Sequence, residues 1–306
     1  MLNPAALLGA LPGAVAQGIV WGIMALGVYM TFKILNFADL TVDGSMATGG
    51  AIAVMLVLSG MNPALALLFS FLGGLACGAV TGLLNTALGI PDILAGILTQ
   101  FALWSVNLVI MGKANTPLSV DKYPLIITLR NIPMAIVVSG LFALALVGLF
   151  YWYFGTEQGS AIRATGANIA MARAQGVNTD SMKVLTLALS NGVVAFAGGM
   201  LAQYQGFADV SMGRGAIVIG LAAVVIGEVL GTMILRKRLN FMGRLIFTVC
   251  GGIVYYTVLQ IVLWLRLPTD YTKMFTAIIV AVFLAFPYIR GKYFKKSVKK
   301  EAQPHA

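Results

Sequence analysis

Two aspartates open the chemistry of this chain. Asp39 and Asp43 stand four residues apart in Asn36-Phe37-Ala38-Asp39-Leu40-Thr41-Val42-Asp43-Gly44-Ser45, at the head of an apolar run. In a helix both carboxylates would share one face. A carboxylate accepts the ammonium group of a small zwitterion through a charge-assisted hydrogen bond. Equally, Asp39 can cap a helix and Asp43 can pair inside the fold. Asn36, Thr41 and Ser45 add polar groups to the same stretch. A second set, Gln100, Trp104 and Asn107, falls at four- and three-residue steps on one helix face. Such a stripe suits either a wall along which an aromatic side chain moves or a packing face with interhelical hydrogen bonds. Glu228 is a lone carboxylate in an apolar run. It must be protonated, paired or facing water, and pairing is the favoured reading. Asn85 and Asn191 read as hydrogen-bonding residues between helices. Tyr204, Gln205 and Asp209 read as contacts for an outside protein or as an interfacial aromatic anchor.

The composition argues against several classes. Hydrophobic residues make up 59% and charged residues 10% of 306, with a mean hydropathy of +0.93. A single soluble core does not look like this, and several runs approach the roughly 20 residues that cross a bilayer. The net charge of +10 does not point to nucleic acid. Its largest cluster, Arg290, Lys292, Lys295, Lys296, Lys299 and Lys300, follows an apolar run, as cytoplasmic juxtamembrane charge does. Cys77 and Cys250 lie in apolar segments, which argues against a disulfide framework and a metal site. His305, the only histidine, lies in the tail, and no nucleophile–base set is visible. No GxxxxGK[ST] occurs, so the chain carries no phosphate cradle for ATP.

These residues must be positioned by membrane helices. An all-α bundle is expected, with nine spans near 10–34, 38–58, 63–86, 92–112, 132–154, 184–205, 213–234, 241–264 and 272–289. Asn62-Pro63, Gly89-Ile90-Pro91, Asn131-Ile132-Pro133 and Leu267-Pro268 separate them. The basic tail fixes the C-terminus inside and so the N-terminus outside. The transmembrane domain covers 1–290 and the tail 291–306. Two carboxylates at the start of the second span predict a broken or partly unwound helix lining a polar path. The alternative is an interfacial loop over 36–45 with the span starting near Met46. Gly74, Gly78 and Gly82, Gly18 and Gly22, and Gly227 and Gly231 form small-residue ridges that let helices approach closely.

The stretch 156–183 differs from everything around it. It is polar, rich in Ala, and punctuated by Gly166 and Gly176, with Asn168 placed as a helix cap. It predicts a pair of short cytoplasmic helices by which a soluble partner moves the membrane part, or else a plain solvated loop.

Three stretches together resemble bacterial ABC-importer permeases of the branched-chain amino acid and ribose type. They are Leu35 to Ser45; Asn62-Pro63 with Gly82-Leu83-Leu84-Asn85; and Gly159 to Asn168 with Ala172 and Gly176-Val177-Asn178. Ala197-Gly198-Gly199 continues the match, and Ala38-Asp39-Leu40-Thr41-Val42-Asp43-Gly44-Ser45 is nearest the aromatic amino acid (tryptophan/tyrosine) branch. Arg214 departs from the small or neutral residue expected there. The resemblance implies a multi-pass subunit of the bacterial cytoplasmic membrane, not itself an enzyme. It implies a homodimer around a central path, two ATPase subunits holding ATP and Mg, and an extracellular or lipoprotein binding protein. Arg163, Ala164, Gly166, Asn168, Ala172 and Gly176 would couple to the ATPase, with Ala164, Gly166 and Ala172 where the partner approaches. The cargo would be an amino acid. A nucleoside or pentose on the same architecture is the alternative, ahead of an ion-coupled transporter and a membrane enzyme.

Overall fold

Asparagine and proline punctuate the chain as the helix rules require. Asn62 caps a helix that begins at Pro63, its Oδ1 accepting from the Ala64 amide at 2.9 Å. Asn131 does the same ahead of Ile132-Pro133. Proline in the first turn loses no hydrogen bond, because that amide has no partner in the helix. The computed structural model describes residues 4–235 and 239–265, with isolated helical positions between 274 and 285.

Among the continuously described residues there are ten α-helices and two short strands. They are α1 (Pro4–Tyr29), α2 (Thr41–Leu58), α3 (Pro63–Thr86), α4 (Asp92–Met111), β1 (Asn115–Pro117), α5 (Ile132–Gly155), α6 (Glu157–Ala167), α7 (Ile169–Ala174), α8 (Thr179–Gln205), β2 (Phe207–Asp209), α9 (Ala216–Leu235) and α10 (Phe241–Trp264). Wider π-turns prolong α1 through Met30–Leu35. Among the described residues eight helices are long and apolar enough to span a bilayer. The expected ninth span, 272–289, and the basic tail lie outside the continuously described residues.

The helices form two packed groups. In one, α2 and α3 pack on α8 and α4 packs on α2 and α3; in the other, α1, α9 and α10 pack together. Alpha-helices 1, 2 and 8 are buried along most of their length, while α4 and α5 are largely exposed. Leu141, Leu144 and Trp152 on α5, and Leu65, Leu68 and Leu72 on α3, form outward apolar faces. Outward apolar faces are stable in lipid, where tails replace water as the solvent.

The small-residue ridges set the closest approaches. A Cβ on Gly74 or Gly78 would collide with the backbone carbonyls of Asn191 and Leu187 on α8. Gly18 and Gly22 press on Ile253 and Val249 of α10, and Gly227 on Phe247. All three ridges are therefore used inside the chain. Outside the bundle, β1 and β2 pair antiparallel with Asn115 opposite Asp209 and Pro117 opposite Phe207. This ribbon ties the end of α4 to the end of α8.

Candidate functional site

The site starts where the first span stops. The π-turns end at Asn36, which adopts the left-handed conformation at φ 57°. Asparagine tolerates this because its short polar side chain can bond locally. Residues 37–40 leave the helix, and α2 then runs unbroken from Thr41 to Leu58. The break expected within the second span thus lies ahead of it, and neither an unwound span nor a start at Met46 is found. The reason is local. Asp39 Oδ1 accepts the Thr41 amide at 2.9 Å, satisfying a donor that the first turn leaves free.

Asp39 is 1% exposed and does not share a helix face with Asp43. Its other oxygen accepts from Asn191 Nδ2 at 2.7 Å, and Ser45 donates to Asn191 Oδ1 at 2.7 Å. Thr41 Oγ1 meets Thr81 Oγ1 at 2.7 Å, and Thr81 donates to Thr99 at 2.9 Å. These bonds lock α2, α3, α4 and α8 at one level. Buried polar groups satisfied this fully rigidify a core. Three residues expected along the path, Asp39, Thr41 and Ser45, are therefore buried in the joint between helices, and Asn36 stands at its entry.

Asp43 crosses to the other helix group. Its two oxygens accept the amides of Gly215 and Ile217, each at 2.9 Å. A carboxylate at a helix N-terminus satisfies free amides and meets the positive end of the dipole. The chain that brings α9 to this point descends from β2 through a turn, and the Gly213 backbone lies against the Asp43 carbonyl.

Alpha-helix 4 carries the remaining stripe. Gln100 is half-buried beside Gly44, and Trp104 is exposed. Asn107 is 1% exposed with neither amide atom partnered. The Arg214 guanidinium lies over the Trp104 ring, 4.8 Å from its centroid. Trp104 and Gln100 are thus brought to the Asp43 end of α9, through Arg214 and Gly44. Glu228 is not part of this cluster. It pairs with Lys33 at 2.6 Å, both side chains about one-third exposed (34% and 39%).

Near the outer ribbon, Asp209 accepts from the Ser211 hydroxyl and amide and from Asn115. Burial alone would raise its pKa. The Ser211 and Asn115 bonds and the Arg214 charge together hold it below the usual carboxylate range.

The polar stretch forms two helices, α6 and α7, hinged at Asn168, whose Oδ1 accepts the Met171 amide at 3.1 Å. Thr156 caps α6 through Gly159. Arg163, Ala164, Asn168 and Gly176 are exposed. Gly166 and Ala172 correct the expectation that small residues face the partner. Ala172 is 3% exposed, and Gly166 packs on the Ile34 carbonyl at the end of the π-turns. Gly166 thus docks α6 on the end of the first span, and Ala172 is buried rather than presented.

Sequence reasoning placed Asn191 between helices and flagged Arg214 as out of pattern, but assigned neither a partner. Thr81, Thr99 and Lys33 were missed altogether. Threonines in apolar helices carry a weak signal, because each can bond its own helix carbonyl.

Eight apolar helices among the described residues, a polar joint between them and a polar helix pair docked on their ends define a multi-pass membrane protein. The chain belongs to the family described as branched-chain amino acid transport system / permease component, whose model matches residues 11–284. It is 35% identical to the "Tyrosine transport system permease protein" of Clostridioides difficile (strain R20291) over 269 residues, 88% of each chain. It is 27% identical to the "Autoinducer 2 import system permease protein LsrC" of Yersinia pseudotuberculosis serotype O:1b over 268 residues, 86% of this chain and 73% of that one. No solved structure matches the chain significantly.

Proposed function

We propose that this permease subunit imports an aromatic amino acid by alternating access. Separate ATPase subunits drive it through α6 and α7, and two copies enclose the path. The observation that carries the cargo is the match to the tyrosine permease along 88% of both chains. Support for the partners comes from the family and from the exposed polar pair α6–α7. ATP and Mg belong to the ATPase, since no phosphate-binding loop motif occurs here. The test is uptake by proteoliposomes holding this chain with the ATPase and binding protein of its own gene cluster. Labelled tyrosine or tryptophan should accumulate only with ATP inside the ATPase compartment. Nucleoside uptake in place of amino acid uptake would transfer the cargo to the alternative.

The orientation has N-terminus outside and α6–α7 in the cytoplasm, as the charge distribution supports. In a background without native cysteines, an impermeant thiol reagent added outside cells should label Asn115→Cys and spare Gly176→Cys. The opposite pattern inverts the topology.

A further inference from the structure

We infer that Arg214, stacked on Trp104, receives the carboxylate of the cargo on the translocation path; the inference rests on the amino-acid reading above.

Depth comes first. Gly213 lies on the backbone of Asp43, which stands fifteen residues below the outer end of α2 at Leu58. At 1.5 Å per residue that is about 22 Å. The guanidinium itself lies over Trp104, seven residues or about 10 Å inside the end of α4 at Met111, so Arg214 sits below the outer ends of α2 and α4. There a guanidinium cannot face acyl chains, where a charge costs several kcal/mol. Yet Arg214 is exposed and Trp104 beneath it is 38% exposed. An exposed cation at that depth needs water or a polar partner beside it, which a path between two copies would supply.

Charge comes next. The ion pairs among the described residues are Lys33–Glu228, Arg130–Asp121 and Arg173–Asp180. Arg214 is in none of them. Asp43 spends both oxygens on the Gly215 and Ile217 amides. Asp209 feels the Arg214 charge but is occupied by Ser211 and Asn115. What holds Arg214 is the indole face, at 4.8 Å. Stacking uses the plane of the guanidinium and leaves its N–H edge free. That edge is a fork that fits a carboxylate with two parallel hydrogen bonds. A lysine would offer a point charge without the fork.

Three other roles are set apart by the same geometry. A lipid-headgroup anchor or a contact for the binding protein would belong near the outer surface. A scaffold role would need Arg214 for folding rather than for passage.

The test uses the assembled importer in proteoliposomes, with L-tyrosine as probe, comparing wild type with Arg214→Gln and Arg214→Lys. Three quantities are read: tyrosine taken up per ATP hydrolysed, the half-saturating concentration of tyrosine-loaded binding protein, and the yield of folded complex. A hydrogen bond to a charged group is worth about 1.5–3 kcal/mol, about a ten- to hundredfold effect. Uptake per ATP should fall by that factor in Arg214→Gln and by clearly less in Arg214→Lys, with half-saturation and yield held. Unchanged uptake per ATP overturns the assignment. So does a defect confined to half-saturation, which marks a docking contact, or an equal loss of yield in both variants, which marks a scaffold. A wild type that moves no aromatic amino acid removes the cargo reading and this assignment with it; a competent wild type with an unaffected Arg214→Gln removes this assignment alone.

Discussion

A Gly166→Trp variant should insert its spans and fail to hold the ATPase. Gly166 on α6 packs on the Ile34 carbonyl, so even a Cβ would meet backbone rather than the tip of a flexible side chain. Overpacking usually costs about 1–3 kcal/mol and more where backbone must move. Here the element that yields is α6, which would lever off the π-turns and take α7 with it. Ala164→Trp is the matched control, because Ala164 is exposed on the same helix. It should leave the thermal stability of the isolated permease near wild type and reduce only co-purification of the ATPase. Gly166→Trp should lower both. Normal co-purification and retained uptake in Gly166→Trp would remove α6 from the coupling contact.

The second large effect concerns Asp43. Asp43→Ala strands the amides of Gly215 and Ile217 at the start of α9. Each is a hydrogen bond to a charged group, worth about 1.5–3 kcal/mol. Losing both should cost several kcal/mol, enough to collapse the yield of a marginally stable fold. Asp43→Asn keeps one acceptor oxygen and should fall between the two. Thermal unfolding of the purified permease, set beside its uptake, checks this. An Asp43→Asn protein as stable as wild type but unable to carry tyrosine would return Asp43 to the path as a direct cargo contact.

The spans were legible because lipid imposes length and apolarity on every helix that crosses it. Asn62, Asn131 and Asn168 announced helix starts through local capping, which needs no tertiary knowledge. The break before α2 was legible from Asp39 and Asp43, though its place was not. A hydropathy pattern does not say that Asp39 serves the Thr41 amide and Asn191. The joint itself links residues up to 152 positions apart, and nothing local in Thr81 or Thr99 points to Thr41. Glu228 reads as an isolated carboxylate until the turns after α1 bring Lys33 against α9. Arg214 was visible only as a misfit, since its meaning depends on Trp104 arriving from another helix.

The π-turns of Met30–Leu35 fix something no side chain can. A π-turn closes its hydrogen bond over one more residue than an α-turn, as the Asn36 amide does on the Thr31 carbonyl. Deleting a single residue there would let the stretch close as ordinary α-turns with nearly the same overall rotation, so the chain beyond would keep its direction while the side chains within the stretch changed their facing. Lys33 would then swing away from Glu228, or Ile34 would leave Gly166. The surplus residue acts as a spacer of fixed pitch. It lets one stretch of backbone meet α9 on one side and the cytoplasmic helix pair on the other.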